Sequence, residues 1–161
     1  MAPALGHIGC CIDDSPGAAA ALDRAVALQR ASGGGRLSLV HVGPYPVARG
    51  RADGRAVYRR DDLNAPARRR LNSRASEIPG ADPVFLHGVR GPATCAWAER
   101  ADVDLIVVGA GSGHTPGLIP GEFVHHLLEH APCSVLVVRP VRHGRGTGAE
   151  RSSGAPGSPK D

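Results

Sequence analysis

Aromatic residues are scarce: one Trp, two Tyr and two Phe make up 3% of the 161 residues. Proteins that grip single-stranded nucleic acid interleave aromatic platforms with positive charge. The scarcity therefore argues against that class, although the chain carries a formal net charge of +4. No apolar run approaches the roughly 18 residues that a membrane-spanning helix needs, and the longest are strand-sized. The four cysteines, Cys10, Cys11, Cys95 and Cys133, lie in apolar segments without ligand spacing. No HExxH arrangement occurs either, so no metal site is expected. The chain does not start with a charged region followed by a long apolar one, so a signal peptide is not expected. Together with the lack of a cysteine framework, this points to a reducing, cytoplasmic compartment.

The positive charge is unevenly distributed. Residues 139–161 hold five basic side chains against Glu150 and Asp161, which leaves the body of the chain at only +1. This end is rich in Gly, Ser and Pro and has almost nothing to bury. One domain is therefore expected over residues 1–143, followed by a disordered basic tail over 144–161. A second basic cluster, residues 49–74, has nine arginines against three aspartates and reads as a solvated helix face and loop. At 161 residues and 42% hydrophobic, the chain is long enough to bury one sizeable core.

What remains alternates between strand and helix. "LGHIGCCID" (5–13) predicts a first strand, and "DDSPG" a turn and helix start. "AAAALDRAVALQRAS" is a helix that "GGG" stops, and "RLSLVHV" is a second strand. Pro44, Pro46 and Gly50 break the next segment. A basic helix is expected from Leu63 to Ile78, with Leu71, Ala75 and Ile78 as a sparse apolar face. "DPVFLHG", "DLIVVG" and "SVLVVRP" complete the strands, with helices over "GPATCAWAERA" and residues 122–130 between them. The last two strands are continuously apolar, as strands buried on both faces are. This predicts an α/β protein with a largely parallel sheet covered by helices. Ligands of such sheets bind beyond the carboxyl ends of the strands, where Asp13, Val42 and a glycine-rich loop converge.

That loop contains Gly109, Gly111, Gly113, Gly117 and Gly121 and leads into a helix starting near Glu122. Glycines allow tight turning with exposed N–H groups, and a helix start adds positive potential; both suit an anion. The spacing fits neither a Walker motif nor a dinucleotide fingerprint. His126 and His130 share a helix face, but neither they, the cysteines, Ser15 nor Ser112 forms a catalytic set.

The segments "IGCCIDDSPGAAAALDRAVALQRASGGGRLSLVHV" and "GPATCAWAERADVDLIVVGAGSGHTPGLIPGEFVHHLLEHAPCSVLVVRP" resemble the universal stress protein family over about residues 7–140. The resemblance implies a three-layer α/β sandwich with a five-stranded, mostly parallel sheet and a nucleotide-binding-like (adenine nucleotide alpha hydrolase-like) topology. It further implies a homodimer paired through the last strand, and a choice between members that bind ATP and members that do not. In the resemblance, Asp13 approaches adenine and the backbone of Val42 reads the base edge. Gly109, Gly111, Gly113 and Gly121 wrap phosphate. On the residues alone, Asp13 reads equally as a turn acid that caps the following helix, as Asp14 or Ser15 would.

The family's nucleotide loop runs Gly, two residues, Gly, nine residues, Gly, then Ser or Thr. Here the loop is one residue shorter, Ser112 takes the second glycine's place and Glu122 the place of the hydroxyl. Pro116 and Pro120 also remove two N–H donors. A carboxylate in the first turn of a helix compensates the exposed N–H groups but sets negative charge beside a triphosphate. The leading expectation is a non-catalytic stress-response protein with a small-molecule cleft and weak or no ATP binding. An ATP-binding regulator, with or without slow hydrolysis, is the alternative, and a nucleic-acid binder using residues 49–74 is a distant third.

Overall fold

A computed structural model describes residues 4–44, 60–110 and 121–140. Along these the elements run β1 (His7–Cys11), α1 (Pro16–Ala31), β2 (Arg36–Gly43), α2 (Arg60–Ser76), β3 (Ala81–His87), α3 (Arg90–Arg100), β4 (Leu105–Gly109), α4 (Glu122–His130) and β5 (Ser134–Val138). The strands form one sheet in the order β3-β2-β1-β4-β5, and all four pairings are parallel. The order reverses between β1 and β4, so the loops leaving these two central strands diverge and open a crevice at their carboxyl ends.

Alternate side chains of the central strands leave the sheet on opposite faces, and each face has its own core. Ile8, Cys10, Leu37, Leu39 and Val107 pack with Ala21 and Ala25 of α1 and Leu71 and Ala75 of α2. Cys11, Val40, Ile106 and Val108 pack with Trp97 and Ala98 of α3 and Val124 and Leu127 of α4. This double burial is why β1 and β4 read as unbroken apolar runs. The sheet between two helical layers is the expected three-layer α/β sandwich.

Most predicted boundaries agree within a few residues. The basic helix differs, spanning Arg60–Ser76 rather than 63–78. Leu71 and Ala75 are buried as expected, but the chain leaves the helix before Ile78, whose N–H bonds the Ala75 carbonyl in a turn leading to Gly80 at φ 76°. Gly33 and Gly34, at φ 94° and 83°, end α1, a conformation that costs glycine little. On the opposite side from the crevice, His7 ties three elements together. Its N–H donates to Asp104 Oδ2 at 2.8 Å, and its ring lies 2.9 Å from the Ala101 carbonyl and 2.8 Å from Ser38 Oγ. In the neutral ring Nδ1 donates to that carbonyl and Nε2 accepts from the serine.

The predicted tail, residues 144–161, and the part of the arginine-rich segment before Arg60, residues 49–59, lie outside the described residues. No helix among the described residues is long and apolar enough to cross a membrane.

Candidate functional site

Three helix starts surround the carboxyl ends of β1 and β4. The first follows Asp13, whose Oδ1 accepts the Ser15 N–H at 2.9 Å and so braces the turn. Ser15 is the N-cap of α1: its Oγ accepts the Ala18 N–H at 3.1 Å, with Pro16 at the first helical position. Capping thus falls to Ser15, which leaves Asp13 at the crevice. Gly17 and Gly109 let α1 and the end of β4 touch backbone to backbone. A Cβ on Gly17 would run into the Ala110 carbonyl, and one on Gly109 into the Gly17 backbone.

The second start is that of α3. Arg90, its first residue, reaches back across the crevice to Asp13, with Nη2 3.1 Å from Oδ2. The guanidinium carbon also sits 4.7 Å from the centroid of the Phe123 ring. Gly91 allows α3 to lie against the ring of His126, which any Cβ there would strike. The third start is that of α4, where Gly121 caps without a side-chain bond and Glu122 is the acid of the first turn.

These residues enclose a cleft of about 450 Å³, within the size range of small-molecule sites. Its walls include Val89, Pro92, Val108, Phe123 and Val124, and its polar groups include Asp13, Ser15, Arg90, Glu122 and His126. Burial on its own would raise the Asp13 carboxyl. Hydrogen bonds from Ser15 and the charge and hydrogen bond of Arg90 outweigh it and hold the group below the usual carboxylate range. Asp13 is therefore an anion at neutral pH. Cys11, also in the lining, is pushed up by burial to about 12 and is no nucleophile.

Of the residues singled out in the sequence, Asp13, Gly109, Gly121 and Glu122 come together in this cleft. Val42 lies near the end of β2, half-buried and paired with Leu86 of β3, and the described lining does not include it. Gly111, Gly113, Ser112 and His114 lie outside the described residues. Asp14 turns outward to Arg70 of α2 at 3.3 Å. On α4, His125 and His130 lie 3.3 and 3.7 Å from Glu129, but no group of three metal-capable side chains occurs among the described residues. Arg90 was missed. Its one local signal is its place at the start of a helix after a strand, and its partner Asp13 lies 77 positions away.

A parallel, doubly wound sheet with a ligand-sized cleft at its switch point defines the class of nucleotide-binding-like α/β proteins. Comparison with known proteins narrows this. The model of the universal stress protein family matches residues 5–139. Universal stress protein A homolog 1 of Coxiella burnetii is 31% identical over 137 residues, covering 82% of this chain and 94% of that protein. The chain belongs to the universal stress protein family. Among solved structures, UspA from Lactobacillus plantarum superposes with a TM-score of 0.69 at 23% identity, over 84% of this chain and 98% of that one. A universal stress protein in complex with cAMP gives 0.63 at 22%, over 85% and 98%. At these identities the two structures speak for the fold.

Proposed function

We propose that this is a non-catalytic stress-response protein whose cleft binds a small molecule and holds ATP weakly or not at all. The observation that carries this reading is Glu122 in the cleft lining at the first turn of α4. The N–H groups of that turn would otherwise attract phosphate, and the carboxylate compensates them from within the chain. Asp13 in the same cleft is paired with Arg90, so the formal charge left over among the described lining residues is the negative one of Glu122. That a protein of the same fold is described in complex with cAMP supports adenine-type ligands in general, and not a triphosphate in particular.

Titration of the natural chain and of Glu122→Ser with ATP at fixed magnesium and ionic strength tests the reading. The variant is expected to bind about tenfold more tightly, roughly 1.4 kcal/mol. Equal affinities would sink the charge argument. The ATP-binding alternative draws its support from Asp13, Gly109 and Gly121 lining one cleft, and tight ATP binding by the natural chain would establish it.

The same proposal places the protein in the cytoplasm, which suits its four free cysteines, and makes it a homodimer paired through β5. Val135, Leu136, Val137 and Val138 are half-buried on a strand that pairs with β4 on one side, and proteins usually cover such an edge. Val137→Lys should weaken the pairing. A natural chain that sediments as a monomer at tens of micromolar, roughly the range where a modest dimer forms, would refute it.

A further inference from the structure

We propose that His126 makes the cleft responsive to pH: its protonation raises the affinity for an anionic, phosphate-bearing ligand and leaves the affinity for an uncharged one as it is. The proposal rests on the cleft reading above and adds a regulator to it. His126 lines the cleft one helical turn beyond Glu122, so the two side chains share a face of α4. Gly91 of α3 fixes its seat. The atoms that a Cβ at Gly91 would meet are Cδ2, Cγ and Cβ of His126. The ring thus meets α3 through carbon, and neither nitrogen is used in that contact.

Histidine is the side chain type whose charge ordinarily changes between about pH 5 and 8. What a new charge does here depends on the groups that face it. On α4, Glu129 lies 3.3 Å from His125 and 3.7 Å from His130, and the His130 ring is centred 4.5 Å from that of His126. Two imidazolium rings this close repel, so the pair titrates as a unit. From α3 comes Arg90, which is paired with Asp13 of the β1–α1 turn at 3.1 Å. From β1 comes the Cys11 thiol, pushed up to about 12 and therefore neutral. No carboxylate among the described residues is ion-paired with His126, so a charge there acts on Glu122 and on the ligand. An acid one turn before a cation is the favourable order on a helix. A proton on His126 thus offsets the Glu122 carboxylate and gives the first turn of α4 back its attraction for an anion. The effect is a difference between two protonation states of one cleft. Every other group enters both states alike, those of residues 111–120, outside the described residues, included.

The test is calorimetric titration of the full chain with cAMP and with adenosine at about pH 6 and pH 8, at fixed ionic strength. The phosphodiester of cAMP carries one negative charge at both pH values and adenosine carries none, so titration of the ligand does not intrude. cAMP is expected to bind about two- to fivefold more tightly at the lower pH, the range of a partly exposed charge pair, and adenosine equally at both. His126→Gln removes the titrating ring and should abolish the pH dependence of cAMP binding. His126→Lys carries a cation at both pH values, so it should also flatten the dependence while binding cAMP more tightly than His126→Gln does. Adenosine binding by each variant shows that its cleft is folded. His130→Gln should keep the tighter cAMP binding at the lower pH, and its loss would assign the effect to His130 and overturn the proposal. Equal cAMP affinities at the two pH values would also overturn it while leaving the cleft reading intact. So would a pH dependence that survives His126→Gln or that adenosine shares. Binding of neither ligand at either pH would remove the cleft reading and the proposal together.

Discussion

Gly109→Ala probes the contact that shapes the cleft floor. The φ of Gly109 is not in the left-handed region, so an alanine there meets no backbone strain, and any cost must come from crowding. The added Cβ would run into the carbonyl carbon and oxygen of Gly17 and the N–H of Ala18. All of these are backbone, so no rotamer change relieves the clash and α1 must move away from β4. Overpacking of this kind costs about 1–3 kcal/mol, and reduced freedom of the unfolded chain returns at most about 1 kcal/mol. A net loss near 2 kcal/mol lowers the melting temperature of a domain this size by roughly 4–8 °C. Gly121→Ala is the contrast, because among the described residues a Cβ there meets nothing within 4 Å. A poorer N-cap residue and a stiffer unfolded chain then oppose each other at about 0.5–1 kcal/mol each. Differential scanning calorimetry of both variants decides the matter. The reasoning fails if Gly109→Ala melts with the natural protein, or if Gly121→Ala loses more than Gly109→Ala does.

Two further outcomes follow from the titrating groups. Because the folded Asp13 carboxyl is held below its ordinary value, its contribution is present above the unfolded pKa of about 3.9 and is lost as pH falls through the folded value. Asp13→Asn should thus be less stable near neutrality, by no more than about 1 kcal/mol given how exposed the pair is, and should converge with the natural protein in acid. Denaturant melts at a series of pH values would contradict this if the difference grew on acidification. Burial raises the thiols of Cys10 and Cys11. Alkylation of the native protein near pH 8 should therefore leave both unmodified, while the denatured chain reacts at all four cysteines. Rapid native labelling of Cys11, read by peptide mass, would show the cleft wall to be open.

How far the sequence carried the structure depended on the range of the interactions. The β4 run "LIVVG", the β5 run "SVLVV" and the start of α4 at Glu122 were legible because double burial and the entry to a helix leave local marks. The crevice was legible too, because an alternating strand and helix pattern already implies ligands at the carboxyl edge. Three adjacent residues, Asp13, Asp14 and Ser15, were equally good caps for α1. Only the backbone path shows Ser15 accepting from Ala18 while Asp13 and Asp14 turn to different arginines. The pairing of Asp13 with Arg90 and the seating of Gly91 on His126 are set by the order of strands across the sheet. Neither residue type nor spacing records them. The basic helix was misjudged at both ends because a face of two buried residues, Leu71 and Ala75, marks its middle and not its limits.

The proposed weak binding of ATP is checked most directly by denaturing freshly purified natural protein and quantifying the nucleotide it releases by chromatography. A chain whose cleft carries Glu122 at the start of α4 should release far less ATP than one molecule per chain. Near-stoichiometric ATP would contradict the account and show that the loop still holds phosphate in spite of Glu122.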